Sequence, residues 1–235
     1  MYKGIYIALS GAVMKKRNID ILAQNIANAN TSGYKKERVS FRDHLIPADN
    51  TQINGGDGRV MAKLNAVDID FTAGSLKPTG NTLDLAIDGD GFFSLEDGKV
   101  TRSGSFTIDG EGYLTTKSGE KVLGDGGPIA LLGGSIEVTS EGEFIVDDIP
   151  VGKLRIVDFT DRSVLRKLDG SMFAADEEGE IVDARVSQGY LEDSNVNALR
   201  DMIQMIESHR EYESYQKIII AFDEASSKTI NEMGR

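Results

Sequence analysis

Residues 5–33 read IYIALSGAVMKKRNIDILAQNIANANTSG, and their spacing decides the fold. Ile5, Ala12, Ile19 and Ile26 stand seven apart, with Leu9, Leu22 and Ala23 at intervening three- or four-residue steps, which is the seam of a helix packed on another helix. Ala8, Ala12, Ala23, Ala27 and Ala29 are small enough to let that partner approach closely. Asn25, Asn28 and Asn30 are poor helix formers and read as polar seam positions that fix register rather than add affinity. Thr31-Ser32-Gly33 ends the helix, with Gly33 suited to a left-handed C-cap. Lys3 and the apolar run 5–13 have the outline of a short secretory leader. Ser10 and Gly11 break that run, and the helical spacing continues past it, so the segment reads as helix.

The far end mirrors this pattern. Asp193-Ser194-Asn195 supplies an N-cap, and Val196, Leu199, Met202, Ile203, Ile206, Tyr212, Ile219, Ile220 and Phe222 follow at mixed three- and four-residue steps. No Pro or Gly intervenes before Gly234. A helix of roughly 38 residues is about 60 Å long. Between the ends lie short alternating or apolar runs at 83–87, 91–95, 103–108, 113–116, 135–138, 143–146, 153–159 and 181–185, punctuated by Asp-Gly and Glu-Gly pairs, as in an antiparallel all-β domain. From 34 to 80 the pattern is weak: 54–58 is a flexible Gly-rich loop and 67–71 an extended segment. The expected fold mixes α and β. A discontinuous coiled coil (1–33 plus 193–235) brackets an extended linker (34–80) and an antiparallel β domain (81–192).

The chain has 235 residues, 40% of them apolar and 27% charged, with a net charge of -12 and no Cys. It is long enough to bury a substantial core. The negative charge opposes nucleic-acid binding. No apolar run approaches the ~18–20 residues of a membrane span, so membrane insertion is not expected. Without Cys there is no disulfide or thiol nucleophile. The charge is uneven: residues 1–45 hold eight basic and three acidic groups, and 190–235 hold five basic and nine acidic.

No catalytic constellation emerges. His44 and His209 are the only His residues, and no zinc-binding spacing surrounds them. Asp88-Gly89-Asp90-Gly91 has the outline of a calcium loop, but Phe92 and Phe93 stand where oxygen ligands should follow, so it reads as a hairpin turn. Gly124-Asp125-Gly126-Gly127 lacks the Lys-Ser/Thr of a phosphate loop and reads as a turn. Asp68/Asp70 and Asp147/Asp148 read as solvated acidic pairs rather than a glycosidase dyad. The expectation is no catalytic residue, no metal, no cofactor and no small-molecule ligand.

The terminal helices are therefore the informative feature. A helix pair standing off a domain buries too little apolar surface to offset the entropy of ordering it, whereas packing on identical neighbours shifts the balance. Contacts that repeat without closing a ring generate helical tubes. The alternative is an ordinary fold with both helices packed on its own sheet.

Three stretches resemble bacterial flagellar rod and hook proteins. Leu9-Ser10-Gly11-Ala12 and the run from Gln24 through Gly33, Tyr34 and Lys35 resemble that family's N-terminal signature. The run from Gly80 through Leu83, Asp84, Ile87, Gly89, Gly91, Phe92 and Phe93, continued by 101–106, is similar to its central motif. The run from Gln188 through Ser194, Asn195, Val196 and Asn197 is similar to its C-terminal signature. The resemblance implies a structural subunit of the flagellar basal body in the cell envelope, exported through the flagellar apparatus without a cleaved leader. It implies terminal helices in the inner core of the tube and the β domain in the outer layer, with other proximal rod proteins, the distal rod protein and further copies of itself as partners. The chain is short for a hook protein. Residues 195–202 look closest to the proximal rod component, and 208–217 depart from the distal one. A distal rod subunit, a coiled-coil surface adhesin and a carbohydrate hydrolase are the competing readings.

Overall fold

The computed structural model describes residues 2–45, 60–175 and 177–233, with side chains described for 4–40, 67–175 and 177–228. The 54–58 loop expected from sequence lies outside the described residues. The chain divides into a helical unit (Met1–Ala27, Glu37–Ile69 and Asn197–Arg235) and a β unit (Asn28–Lys36 and Asp70–Val196).

In the helical unit, α1 (Tyr2–Ala27) and α2 (Ala198–Met233) pack on each other in antiparallel. Gly4 faces Phe222, Gly11 faces Tyr215, and the Asn18 Nδ2 donates to Ser208 Oγ at 2.9 Å. Lys15 pairs with Glu211. Each step of seven along α1 is matched by a step of seven back along α2, so one heptad register runs through the contact. The least exposed positions of α2 whose side chains are described (Ala198, Asp201, Met205, Ser208, Tyr212, Tyr215, Ile219, Phe222, Ser226) alternate in steps of three and four. The rings of Tyr215 and Phe222 lie over glycines, so large side chains meet small ones. Ile5, Ala12, Ile19 and Ile26 flank the row that begins Gly4, Ala8, Gly11 and are half-buried or buried.

Both helix ends differ from expectation. The α1 helix stops at Ala27, six residues before Gly33, in a turn closed by Thr31 N–H to Asn28 O at 3.1 Å. Gly33 does adopt the left-handed conformation (φ 67°), but as part of the loop beyond. The cap of α2 is Asn197 rather than 193–195: its Oδ1 accepts Arg200 N–H at 3.0 Å. The weakly patterned region holds a long antiparallel hairpin, Glu37–Leu45 on Val60–Ile69, with a bulge after Ser40. Asn25 starts it, donating to Glu37 O (2.8 Å) and accepting Glu37 N–H (3.0 Å) as a strand neighbour would.

The β unit is antiparallel throughout its named strand pairs. Its largest sheet runs Leu165–Lys167, Met172–Ala175, Lys99–Thr101, Phe92–Ser94, Ile156–Asp158, Glu180–Ile181. Around it stand Leu85–Asp88 on Arg185–Gln188, Leu76–Pro78 on Tyr190–Glu192, and the three-stranded Ile136–Val138, Glu143–Val146, Ile149–Lys153. Phe92 and Phe93, adjacent in a strand, point to opposite faces. Phe93 meets Phe106 edge-on at 5.1 Å inside the main core with Leu85, Ile87, Phe144 and Ile156. Phe92 joins Phe71, Phe159 and Phe173 on the other side, with centroids 5.5–6.3 Å apart.

Two turns are informative. Asp147 and Asp148 both have positive φ (50° and 66°) and join paired strands, a true two-residue hairpin. The 88–91 stretch is not one. The strands it joins pair elsewhere, Leu85–Asp88 with Arg185–Gln188 and Phe92–Ser94 with Ile156–Asp158 and Lys99–Thr101. The hairpin expectation at 88–91 is therefore corrected: the local Asp-Gly pattern marked the bend but not what the flanking strands would pair with.

Candidate functional site

Four stretches distant in sequence converge inside the β unit. Segments 33–36 and 192–195 lie side by side: Gly33 N–H donates to Glu192 O at 2.8 Å, and Lys36 N–H to Asn195 Oδ1 at 2.8 Å. The Asn195 amide Nδ2 reaches on to Asp70 O (2.7 Å) and Thr72 O (3.1 Å). Gly33 admits no side chain. A β-carbon there would sit 2.4 Å from Ser103 N and 2.5 Å from the Arg102 carbonyl carbon. Gly74 is as tightly placed: a β-carbon there would sit 1.9 Å from Asp193 O.

At the centre is an ion triad. Glu192 Oε1 accepts from Lys35 Nζ (2.7 Å) and Gly74 N–H (2.7 Å), and its Oε2 accepts from Arg102 Nε (2.5 Å). The three side chains are 1%, 3% and 5% exposed for Glu192, Lys35 and Arg102. Lys35 Nζ also donates to Thr72 O at 2.8 Å. The Arg102 guanidinium fills a cradle of carbonyls, donating from Nη2 to Ile87 O (3.0 Å) and Gly89 O (2.5 Å) and from Nη1 to Gly91 O. Gly89 and Gly91 turn these carbonyls inward with φ of 116° and 123°. Burial pushes the Lys35 ammonium below its ordinary range against the pull of Glu192. Burial pushes Glu192 up, but the Arg102 charge with the Lys35 and Gly74 hydrogen bonds outweighs it and holds the carboxyl below its usual value. Lys167 completes the shell: its Nζ lies 3.6 Å over the buried Tyr34 ring and donates to Lys35 O at 2.9 Å.

The motif residues fall into place around the triad. Ile87, Gly89 and Gly91 contribute carbonyls, and Phe92 and Phe93 anchor the strand that follows. Asp84 is buried, with its carboxylate accepting from Thr79 Oγ1 at 2.7 Å, and Leu83 packs on the core. Ser194 Oγ accepts Val196 N–H at 3.2 Å. Sequence reasoning passed over Gly74 and met Lys35, Arg102 and Glu192 only inside the family-like stretches, with no role for any of the three. Their only signal was that charged residues sit inside otherwise apolar or Gly-rich motifs.

The terminal-helix residues separate into two groups. Ala12, Leu22 and Asn25 are buried within the helical unit, and Ile5, Ile19, Ile26, Ile219 and Phe222 are half-buried there. Leu9, Ala23, Leu199 (71% exposed), Met202, Ile203 (52%) and Ile206 are open, as are Tyr6, Ile7, Val13, Ile218 and Ile220. Val196 is half-buried in the β unit, where Asn28 bonds Thr31 and Asn30 is exposed. Among the described residues no group of three or more His, Asp or Glu side chains is placed to hold a metal ion, and no helix is long and apolar enough to cross a membrane.

Three family models match. Residues 5–35 match "Flagella basal body rod protein", 86–160 match "Flagellar hook protein FlgE/F/G D1 domain", and 187–232 match "Flagellar basal body rod FlgEFG protein C-terminal". Lys35, Arg102 and Glu192 each fall in a different one. Among similar proteins, the flagellar basal-body rod protein FlgF of Caulobacter vibrioides is 32% identical, with 100% of this chain and 99% of the relative covered. FlgG of Bacillus subtilis is 30% identical (98% and 99% covered), and FlgF of Escherichia coli 30% identical (97% and 97%).

Proposed function

The chain belongs to the flagellar basal-body rod protein family, and we propose that the open faces of its terminal helices are the surfaces through which it joins the rod. It is a structural subunit of that rod. One observation carries the assembly reading: the α1–α2 pair buries one seam and leaves further apolar side chains uncovered, Tyr6, Ile7, Leu9 and Val13 on α1 and Leu199, Met202, Ile203 and Ile206 on α2. Helices with spare apolar faces gain by nesting among neighbours, and a heterologous contact repeated without closure builds a tube.

The partners are further copies, other proximal rod proteins and the distal rod protein. The resemblance of 195–202 supports a proximal position. The β unit carries 25 acidic and 13 basic groups, the whole of the net charge, which suits an outer layer that stays hydrated. The chain passes through the export apparatus without a cleaved leader, works in the envelope-spanning rod, transmits torque along its helices and catalyses nothing. An adhesin is not favoured, because the relatives are rod proteins matched along their full length. The test is complementation of a strain lacking the chain. Ile206→Asp should leave export intact and yield basal bodies without a complete rod in electron micrographs; normal rods would refute the assembly surface.

A further inference from the structure

Lys35 and Arg102 bring two positive charges into a buried space where, among the described residues, Glu192 is the one carboxylate bonded to them. The other partners of these cations are backbone carbonyls (Thr72 for Lys35; Ile87, Gly89 and Gly91 for Arg102), which satisfy hydrogen bonds without cancelling charge. Beyond them Arg162 bonds both Asp90 and Asp158, each at 2.9 Å, a cluster with one surplus negative charge whose Asp90 carboxylate, 77% exposed, attracts Arg102 and Lys35 only through space from the solvated rim. A buried cation lacking a counter-ion is strongly unfavourable. Glu192, hydrogen-bonded to both, offsets one of the two buried charges and lowers the cost of burying the other, and its own backbone carbonyl receives Gly33 N–H.

We propose that Glu192 is a latch: the β unit closes around Lys35 and Arg102 only when segment 192–195 docks, so that the two ends of the unit, 33–36 and 192–195, become ordered together. The cations precede the anion in the chain by 157 and 90 positions. A chain emerging N-terminus first presents both charges long before the group that permits their burial, and its β unit stays open until residue 192 arrives. The rod-subunit reading gives this delay a use, since an exported chain must not fold early; the latch itself rests on the triad and is tested on the isolated chain, so a failure of assembly leaves it intact.

The full-length chain separates charge from packing. Glu192→Gln leaves two unmatched cations, Lys35→Met leaves a neutral Arg102–Glu192 pair, and the double variant leaves one cation. The latch predicts that Glu192→Gln is the worst, lowering the folded-to-unfolded ratio about 100-fold or more, and that adding Lys35→Met partly rescues it. In Glu192→Gln the amides of 33–36, 72–74 and 192–195 should lose hydrogen-exchange protection by a common factor. If Glu192→Gln does not fold, recovery of folded protein in the double variant is the supporting result. A double variant no better than Glu192→Gln alone, or protection lost in 192–195 while 33–36 keeps its own, overturns the proposal.

Discussion

Gly11 of α1 lies so close under Tyr215 of α2 that a β-carbon at position 11 would stand 2.7 Å from the ring's Cε1 and Cζ. The same arrangement recurs one heptad away, where a β-carbon on Gly4 would meet Phe222 Cζ at 2.6 Å. The helices approach closely because α1 offers no side chain where α2 offers its largest.

Filling that position should separate the helices. Gly11→Val is expected to destabilise the helical unit by about 1–3 kcal/mol through overpacking. Tyr215→Ala in the same chain should return part of the loss, because the ring that clashes is gone. Thermal unfolding followed by helix signal measures both; a double variant less stable than Gly11→Val alone would show that the contact is not the cause.

The two glycine classes of the β unit separate conformation from space. Gly33 and Gly80 have similar positive φ (67° and 74°), but Gly33 is walled by the backbone of 102–103 while Gly80 has nothing within 4 Å. Gly80→Ala should cost only the left-handed penalty, about 1–2 kcal/mol. Gly33→Ala should cost distinctly more, since backbone cannot step aside. Equal denaturant midpoints for the two variants would contradict this.

Aspartate on the two kinds of helix position should act differently. Ile206→Asp, on an open face, should leave monomer helix content and melting unchanged while blocking assembly. Ile19→Asp, half-buried beside the seam, should lower helix content of the isolated chain by placing a charge at the α1–α2 contact. Circular dichroism of the purified monomers distinguishes them.

These variants also show how far the sequence could be read. Helical periodicity is local, so the two terminal helices and their sevenfold spacing were visible, as were runs such as 92–94 and 143–146 in which turns flank apolar residues. The heptad row was read on Ile5 and Ala12, which are half-buried and buried, but the adjoining Gly4 and Gly11 were passed over, because glycine registers as a break in an apolar pattern although both sit beneath large partners. The triad was not legible at all. Lys35 and Glu192 are 157 positions apart, and no periodicity links a charge to its counter-ion across a fold. The 88–91 turn was legible as a bend, while its role as Arg102's cradle depends on carbonyls, which every residue possesses.

The triad also predicts a pH signature. Glu192 has its folded carboxyl held below the ordinary 4.5, so its contribution is complete above that value and drains away as pH falls through the lower, folded value. Relative to wild type, the Lys35→Met/Glu192→Gln variant should lose less stability on acidification below pH 4.5, by at most one proton's slope, about 1.4 kcal/mol per pH unit. Parallel stability profiles for the two chains would mean that Glu192 titrates alike folded and unfolded.

Asn195 supports the sharpest substitution, because its amide works in both directions. Its Oδ1 accepts Lys36 N–H while its Nδ2 donates to Asp70 O and Thr72 O. Asn195→Asp keeps the shape and the acceptor but turns the donor into a second anionic oxygen facing two carbonyls. The expected cost is about 2–3 kcal/mol at neutral pH, more than loss of a single neutral hydrogen bond. The carbonyls disfavour the ionised form, so the new carboxyl has its folded pKa raised above the unfolded value. A protonated carboxyl can again donate, hence stability relative to wild type should be best below the unfolded pKa near ~3.9 and fall as pH rises through the folded one. Urea midpoints of Asn195→Asp measured against wild type from pH 4 to 7 carry the test: a gap that does not widen across that range would show that the amide's donor side contributes nothing.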